Sequence, residues 1–149
     1  MPDITVPVKR IDETLDLPAY AYAGDAGLDL RAAEDAFLKP FERRAIPCGI
    51  ALAIPSGYAG FVMPRSGLAA KHGISIVNAP GLIDSNYRGE IKVILINLDP
   101  DHPFEIARGD RIAQLVILKT PSVELSEVDD LDDTVRGQGG FGSSGYGSQ

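Results

Sequence analysis

Proline and glycine cut this chain into short pieces. It holds 11 prolines and 16 glycines in 149 residues, and they recur as punctuation at Lys39-Pro-Phe-Glu, Pro47-Cys-Gly, Pro55-Ser-Gly and Pro80-Gly81. Between them lie short runs that are β-branched or alternate apolar with polar residues, the pattern of half-buried strands. Ile4-Thr-Val-Pro-Val-Lys is one, confined to a sheet edge by Pro7. Leu28-Asp-Leu-Arg-Ala is another, with Leu28 and Leu30 on one face and Asp29 on the other. Three more fall between Ala36 and Met63. Strands this short and this regularly interrupted predict an all-β sandwich or jelly roll. Only Ser66-Gly-Leu-Ala-Ala-Lys-His suits a helix, two turns at most, with Ser66 as N-cap and Gly73 just past its end. Phe104-Glu-Ile reads as a brief strand and Arg111 to Leu118 as a long one, apolar on both faces. Apolarity on both faces implies burial beyond the strand's own sheet, and a partner subunit would provide it.

The length suits one domain with a real core. Composition changes at Asp129, where Asp129, Asp130, Asp132 and Asp133 precede a Gly/Ser-rich stretch too poor in apolar groups to fold unaided. The expected division is a body over 1–128 and a flexible arm over 129–149. A net charge of −7 argues against a nucleic-acid duplex as partner, since such binders cluster Lys and Arg against phosphates. Any phosphate ligand must meet local cations or a metal. Cys48, alone in the sequence, cannot form an internal disulfide and reads as a small core residue. The start, Met-Pro-Asp-Ile-Thr, lacks the basic and apolar regions of a signal peptide, and no run approaches membrane-spanning length. A cytoplasmic location is expected, with no membrane partner.

Four segments hold residues capable of chemistry. Residues 78–91 sit between the β-like runs Gly73–Val77 and Glu90–Leu98, as the structured tip of a hairpin would. This tip carries Asp84, Tyr87 and Arg88, with backbone groups that a regular ladder is not expected to consume. A carboxylate, an aromatic ring and free amides can read a small polar ring and hold a water, although a solvated turn with an incidental Asp accounts for the same residues. Pro64-Arg65-Ser66-Gly67 places a guanidinium, a hydroxyl and backbone N–H groups where a strand gives way to the helix; that makes an anion site, or an ordinary cap beside a surface arginine. Arg108-Gly-Asp-Arg-Ile-Ala-Gln offers Gln114 as a phosphate donor, with internal Arg-to-Asp pairing an equal account of its charges. The tail from Arg136 to Gly145 reads as a plain flexible terminus or as an arm that orders over a polyphosphate.

Taken together, Ala26-Gly-Leu-Asp-Leu-Arg-Ala, Pro64-Arg-Ser-Gly-Leu-Ala, residues 78–91, Arg108-Gly-Asp-Arg-Ile-Ala-Gln-Leu and Arg136-Gly-Gln-Gly-Gly-Phe-Gly-Ser-Ser-Gly resemble the ordered motifs of the trimeric dUTP pyrophosphatases. The resemblance runs from about residue 4 to the end. It implies a distorted jelly roll of the dUTPase-like β-clip type, a homotrimer with shared sites, and hydrolysis of dUTP to dUMP and pyrophosphate, which keeps uracil out of DNA and supplies dUMP for thymidylate. By the same resemblance Asp84 is the general base and Tyr87 packs under the deoxyribose, excluding ribonucleotides. Asn78 and the backbone of Gly81, Leu82 and Ile83 pair with uracil, and Lys92 adds a substrate contact, although an alternating strand equally accounts for it as a solvent-facing lysine. Arg65, Ser66, Gly67 and Gln114 hold phosphates; Arg136, Gly142 and Ser143 cover the γ-phosphate while Phe141 lies over the base. Mg²⁺ is implied as cofactor, bound chiefly by phosphates, with Asp29 behind a water. Two alternatives remain: a dCTP deaminase of the same fold, and a nucleotide-sensing regulatory protein.

Overall fold

The computed structural model describes residues 2–147; Met1 and the last two positions of the expected arm, Ser148 and Gln149, lie outside the described residues. Ten strands and one helix occur among them: β1 (Val8–Arg10), β2 (Leu28–Arg31), β3 (Ala36–Leu38), β4 (Arg43–Leu52), β5 (Tyr58–Met63), α1 (Ser66–His72), β6 (Ile74–Ile76), β7 (Gly81–Ile83), β8 (Glu90–Asn97), β9 (Phe104–Ile106) and β10 (Arg111–Lys119). They form two four-stranded sheets, ordered β1-β4-β8-β6 and β2-β10-β5-β7, with a separate ribbon β3-β9. Every ladder is antiparallel. This is the expected all-β architecture, a distorted jelly roll with one short helix.

Alternation does the sorting. Along β8, Ile91, Val93 and Leu95 are buried while Lys92 between them is exposed. Leu30, Ile46, Ile74, Ile91, Leu95, Ile112 and Leu115 are at most 2% exposed and join one cluster drawn from both sheets. Each such side chain contributes about 1.5–3 kcal/mol on burial. The opposite face of β2-β10-β5-β7 is apolar but open: pairing places Met63 beside Gln114, Phe61 beside Val116 and Leu82 beside Phe61, and Met63 and Leu82 are exposed. A bulge between Arg111 and Ala113 turns Ile112 inward as well, which explains part of the two-sided apolarity of β10.

Three expectations need correction. The first strand does not span residues 4–9: the ladder begins at Val8, after Pro7, which has no N–H to donate. Pro47-Cys-Gly does not separate two strands but bulges one, since β4 slips in register against β8 between Pro47 and Ala51. The carbonyls turned aside there are taken by Ala33 N–H on Pro47 (2.8 Å) and by Ile11 and Asp12 N–H on Gly49 (2.8 and 3.0 Å). Ser66 is not the N-cap. Arg65, in extended conformation, holds that place, its carbonyl accepting from Ala69 N–H at 3.0 Å, and Ser66 opens the helix itself. Gly73 closes it.

The end of β8 is fixed by Asn97, which is wholly buried. Its Nδ2 donates to the carbonyls of Leu38 (3.1 Å) and His102 (2.8 Å), and its Oδ1 accepts from Asp99 N–H (3.0 Å). These bonds tie β3 and the 98–103 loop to β8. The next residue, Leu98, donates to the Gly73 carbonyl (2.8 Å) and so fastens the helix to the same point.

Candidate active site

The hairpin tip is more than a loop. β6 and β8 pair with each other, from Ile74 opposite Asn97 to Ile76 opposite Leu95, yet β7, lying between them in sequence, pairs with β5 in the other sheet, Gly81 opposite Val62 and Ile83 opposite Gly60. Residues 77–89 therefore bridge the sandwich. The expectation that no ladder would engage this backbone is corrected: one side of Gly81–Ile83 is spoken for by β5. The other side is a free edge, since β7 ends its sheet, and the outward N–H and C=O groups of an edge strand are unpaired. Asn78 lies above this edge, Nδ2 standing 3.5 Å from where a Cβ on Gly81 would be. The Ala79–Pro80 peptide between them is cis.

Asp84 follows β7 directly and is exposed. The turn it starts is closed by Tyr87 N–H on the Asp84 carbonyl (3.1 Å), and Arg88 Nη1 staples the turn, donating to the carbonyls of Ser85 (2.6 Å) and Tyr87 (3.0 Å). Tyr87 lays its ring over Gly89, where any Cβ would overlap it, and its hydroxyl donates to the Glu90 carbonyl (3.0 Å). Leu82, Ile83, Asp84, Tyr87 and Lys92 line one cleft of about 290 Å³.

A second cleft, of about 790 Å³, is lined by Asp29, Arg65, Ser66, Gly67 and Gln114 together with Gly27. Asp29 sits at its floor between two guanidiniums, Oδ1 3.6 Å from Arg65 Nε and Oδ2 3.4 Å from Arg111 Nη1. Arg65 also donates to the Arg111 carbonyl (3.0 Å). Gln114 Nε2 donates to the Pro64 carbonyl (2.9 Å), which holds its amide at the mouth of α1. The guanidiniums of Arg65 and Arg111 stand over the Asp29 carboxylate, while the other lining carboxylate, Asp25, accepts from Tyr22 N–H (2.9 Å), an arrangement suited to an anion carrying several charges.

Arg111 and Gly27 escaped the sequence reading as individual site residues. Arg111 was visible only as one charge of a turn, and nothing in sequence pairs it with Asp29. Gly27 approaches Gln114 so closely that a Cβ would stand 2.5 Å from Oε1. The expected Arg-to-Asp pairing within that segment is corrected: Arg108 instead donates to Asp12 Oδ2 (2.7 Å) and to the Thr14 hydroxyl, at the other end of the sequence, while Asp110 accepts from Ala107 N–H (2.9 Å). The Thr14 hydroxyl, then Arg108, hold the Asp12 carboxyl down at about 2. No helix or strand follows Lys119 among the described residues. Arg136 Nε turns back onto the Gly139 carbonyl (2.7 Å), Phe141 is fully exposed, and Gly142 and Ser143 belong to local turns. The structure thus gathers Leu82, Ile83, Asp84, Tyr87 and Lys92 in one place and Asp29, Arg65, Ser66, Gly67 and Gln114 in another, and it leaves the tail residues apart from both.

Residues 13–145 match the sequence profile described as dUTPase. The chain belongs to the dUTPase family. It is 59% identical over 140 residues to the deoxyuridine 5'-triphosphate nucleotidohydrolase of Corynebacterium glutamicum, covering 94% of each chain, and 56% identical over 142 residues to that of Thermobifida fusca, covering 95% of this chain and 79% of the relative. Among solved structures it superposes on a mutant dUTPase of Staphylococcus bacteriophage 80alpha with dUpNHpp at a TM-score of 0.88 and 31% identity, covering 95% of this dUTPase and 99% of the phage chain. A mutant dUTPase from phage phi11 of S. aureus, described for its coordination of a structural Mg(II) ion, gives 0.78 and 28%, covering 85% and 98%.

Proposed function

We propose that this dUTPase hydrolyses dUTP to dUMP and pyrophosphate, with water attacking the α-phosphorus, in homotrimers whose sites are completed across subunits. The observation that carries the shared site is the separation of its halves: the carboxylate with the aromatic ring lines one cleft and the phosphate-type donors line another. A second copy brings one subunit's hairpin to another's cationic cleft. The open apolar face around Met63, Val116 and Leu82 supports such packing.

In this reading the free edge of β7, with Asn78, pairs with the uracil edge, and the Tyr87 ring occupies the space a 2′-hydroxyl needs. Cytosine offers a donor where uracil offers an acceptor, and an unmatched buried polar group costs about 1–3 kcal/mol. Asp84 accepts a hydrogen bond from the attacking water and takes its proton. Arg65, with Ser66 and Gly67, neutralises the phosphates, Gln114 orients the α-phosphate, and Arg111 adds a cation that swings from Asp29. Phosphoryl transfer needs positioning and charge stabilisation above all, and the arm supplies the last of it when Arg136, Phe141, Gly142 and Ser143 close over the ligand.

Mg²⁺ fits this chain as an ion that arrives with the triphosphate. Among the described residues no group of three His, Cys, Asp or Glu side chains could cage a metal, and Asp29, which lines the cationic cleft between Arg65 and Arg111, is the hard oxygen donor that would hold the ion through a water. When bound, the ion offsets phosphate charge. The deaminase alternative is not favoured, because β7 presents Leu82 and Ile83 beside Asp84 and not a polar acid–base set for a pyrimidine C4. The same segment does not call for a sensor without turnover, since Asp84 stands free at its end. No helix among the described residues is long and apolar enough to cross a membrane.

The test is pyrophosphate release from dUTP, UTP, dTTP and dCTP, with Mg²⁺ and with chelator. Release from dUTP alone, lost on chelation, is expected. Ammonia from dCTP would assign the deaminase chemistry instead.

A further inference from the structure

We infer that the Tyr87 hydroxyl, through its bond to the Glu90 carbonyl, sets the sugar discrimination of the site, and that Gly89 is a positioning residue for it. This rests on the reading that the Tyr87 ring faces the deoxyribose. The ring belongs to an exposed side chain, 46% accessible, and exposed aromatics usually swing between rotamers within nanoseconds. A swinging ring could step aside for a ribose and would discriminate poorly.

Three features hold this ring still. The hydroxyl donates to Glu90 O at 3.0 Å. The Cα of Gly89 lets the ring lie flat against the chain where any larger residue would collide. The turn beneath it is fixed at both ends, by Tyr87 N–H on Asp84 O at 3.1 Å and by the Arg88 staple onto the carbonyls of Ser85 and Tyr87. Ring position and Asp84 position are therefore set by one rigid turn. To admit a 2′-hydroxyl the ring must move, and movement breaks the bond to Glu90. That bond is the part of the penalty a phenylalanine would not pay.

The experiment compares wild-type enzyme with Tyr87→Phe, measuring kcat/KM for dUTP and for UTP, with Tm recorded for each. Loss of one net hydrogen bond should lower the dUTP-to-UTP preference by roughly fivefold, chiefly through better use of UTP, with Tm lowered by no more than a few degrees. Gly89→Ala, which pushes the ring off its seat, should raise KM for dUTP more than it lowers kcat. A Tyr87→Phe enzyme with the wild-type preference overturns the inference while leaving the hairpin's role intact. A wild-type enzyme that uses UTP as well as dUTP overturns the underlying reading, and the inference with it.

Discussion

Asn97→Asp replaces one amide nitrogen with oxygen and leaves shape unchanged, so its cost isolates hydrogen bonding. In the native chain Nδ2 feeds two carbonyls, Leu38 O at 3.1 Å and His102 O at 2.8 Å, from a side chain with no solvent exposure. An ionised carboxylate has no proton for either. Leaving the buried Leu38 carbonyl unpaired costs about 1–3 kcal/mol, and an unpaired charge facing two acceptors adds to it, for a total of about 3–5 kcal/mol at pH 7. Burial and those acceptors favour the neutral acid, so the new carboxyl's folded pKa lies above its unfolded value of about 3.9. Its stability is then greatest below that pH and is lost as pH rises, and acidification to about pH 4 should recover roughly 1–3 kcal/mol by restoring one donor. Urea unfolding of both proteins at fixed protomer concentration, compared at the two pH values, measures this. A deficit below about 1 kcal/mol at pH 7, or one that fails to shrink in acid, would refute the account of Asn97 as the tie at the end of β8.

Asp84→Asn should lower kcat by about 10²–10⁴-fold with dUTP affinity retained, checked by single-turnover hydrolysis beside equilibrium binding. Gly27→Ala should displace the Gln114 amide, break its bond to Pro64, and reduce kcat/KM about tenfold with little change in Tm; steady-state kinetics on dUTP decides this. Burial, then the charge of Glu90, pushes the Cys48 thiol from 9.0 to about 12. An acid whose folded pKa is raised gives stability present below pH 9 and lost as pH climbs toward 12, so Cys48→Ala should show a flatter alkaline decline by about 4 kcal/mol over that range, read by denaturant titration. Removing residues 129–149 should leave the Tm of the body within a few degrees and cut kcat strongly, measured by calorimetry and pyrophosphate release.

Period-two alternation made most strands legible. Leu28 and Leu30 against Asp29 gave β2 its face, and Asp29 accordingly points into the cationic cleft. The bulge at Pro47-Cys-Gly was not legible, because a proline whose neighbouring carbonyls find partners in Ile11, Asp12 and Ala33 looks the same in sequence as one that ends a strand. Nor was the sheet to which β7 belongs: three residues, Gly81–Ile83, carry no local sign that their partner is β5 and not the flanking β6 or β8. Arg65 stood out by residue type beside a strand end, and Gln114 as a polar residue within a largely apolar strand. Arg111 and Gly27 did not, since one is defined by a partner 82 residues away and the other by the space it leaves for Gln114.

The passage of residues 77–89 from one sheet to the other has a practical result for anyone redesigning this protein. An ordinary tip can be lengthened, randomised or transplanted, because its two stems hold without it. Here the segment proposed to read the base is also a rivet through the sandwich, so libraries built in Gly81–Ile83, which pair with β5, will sample unfolding along with new specificity, and a safer position for altering the proposed base preference is Asn78, which is off that ladder.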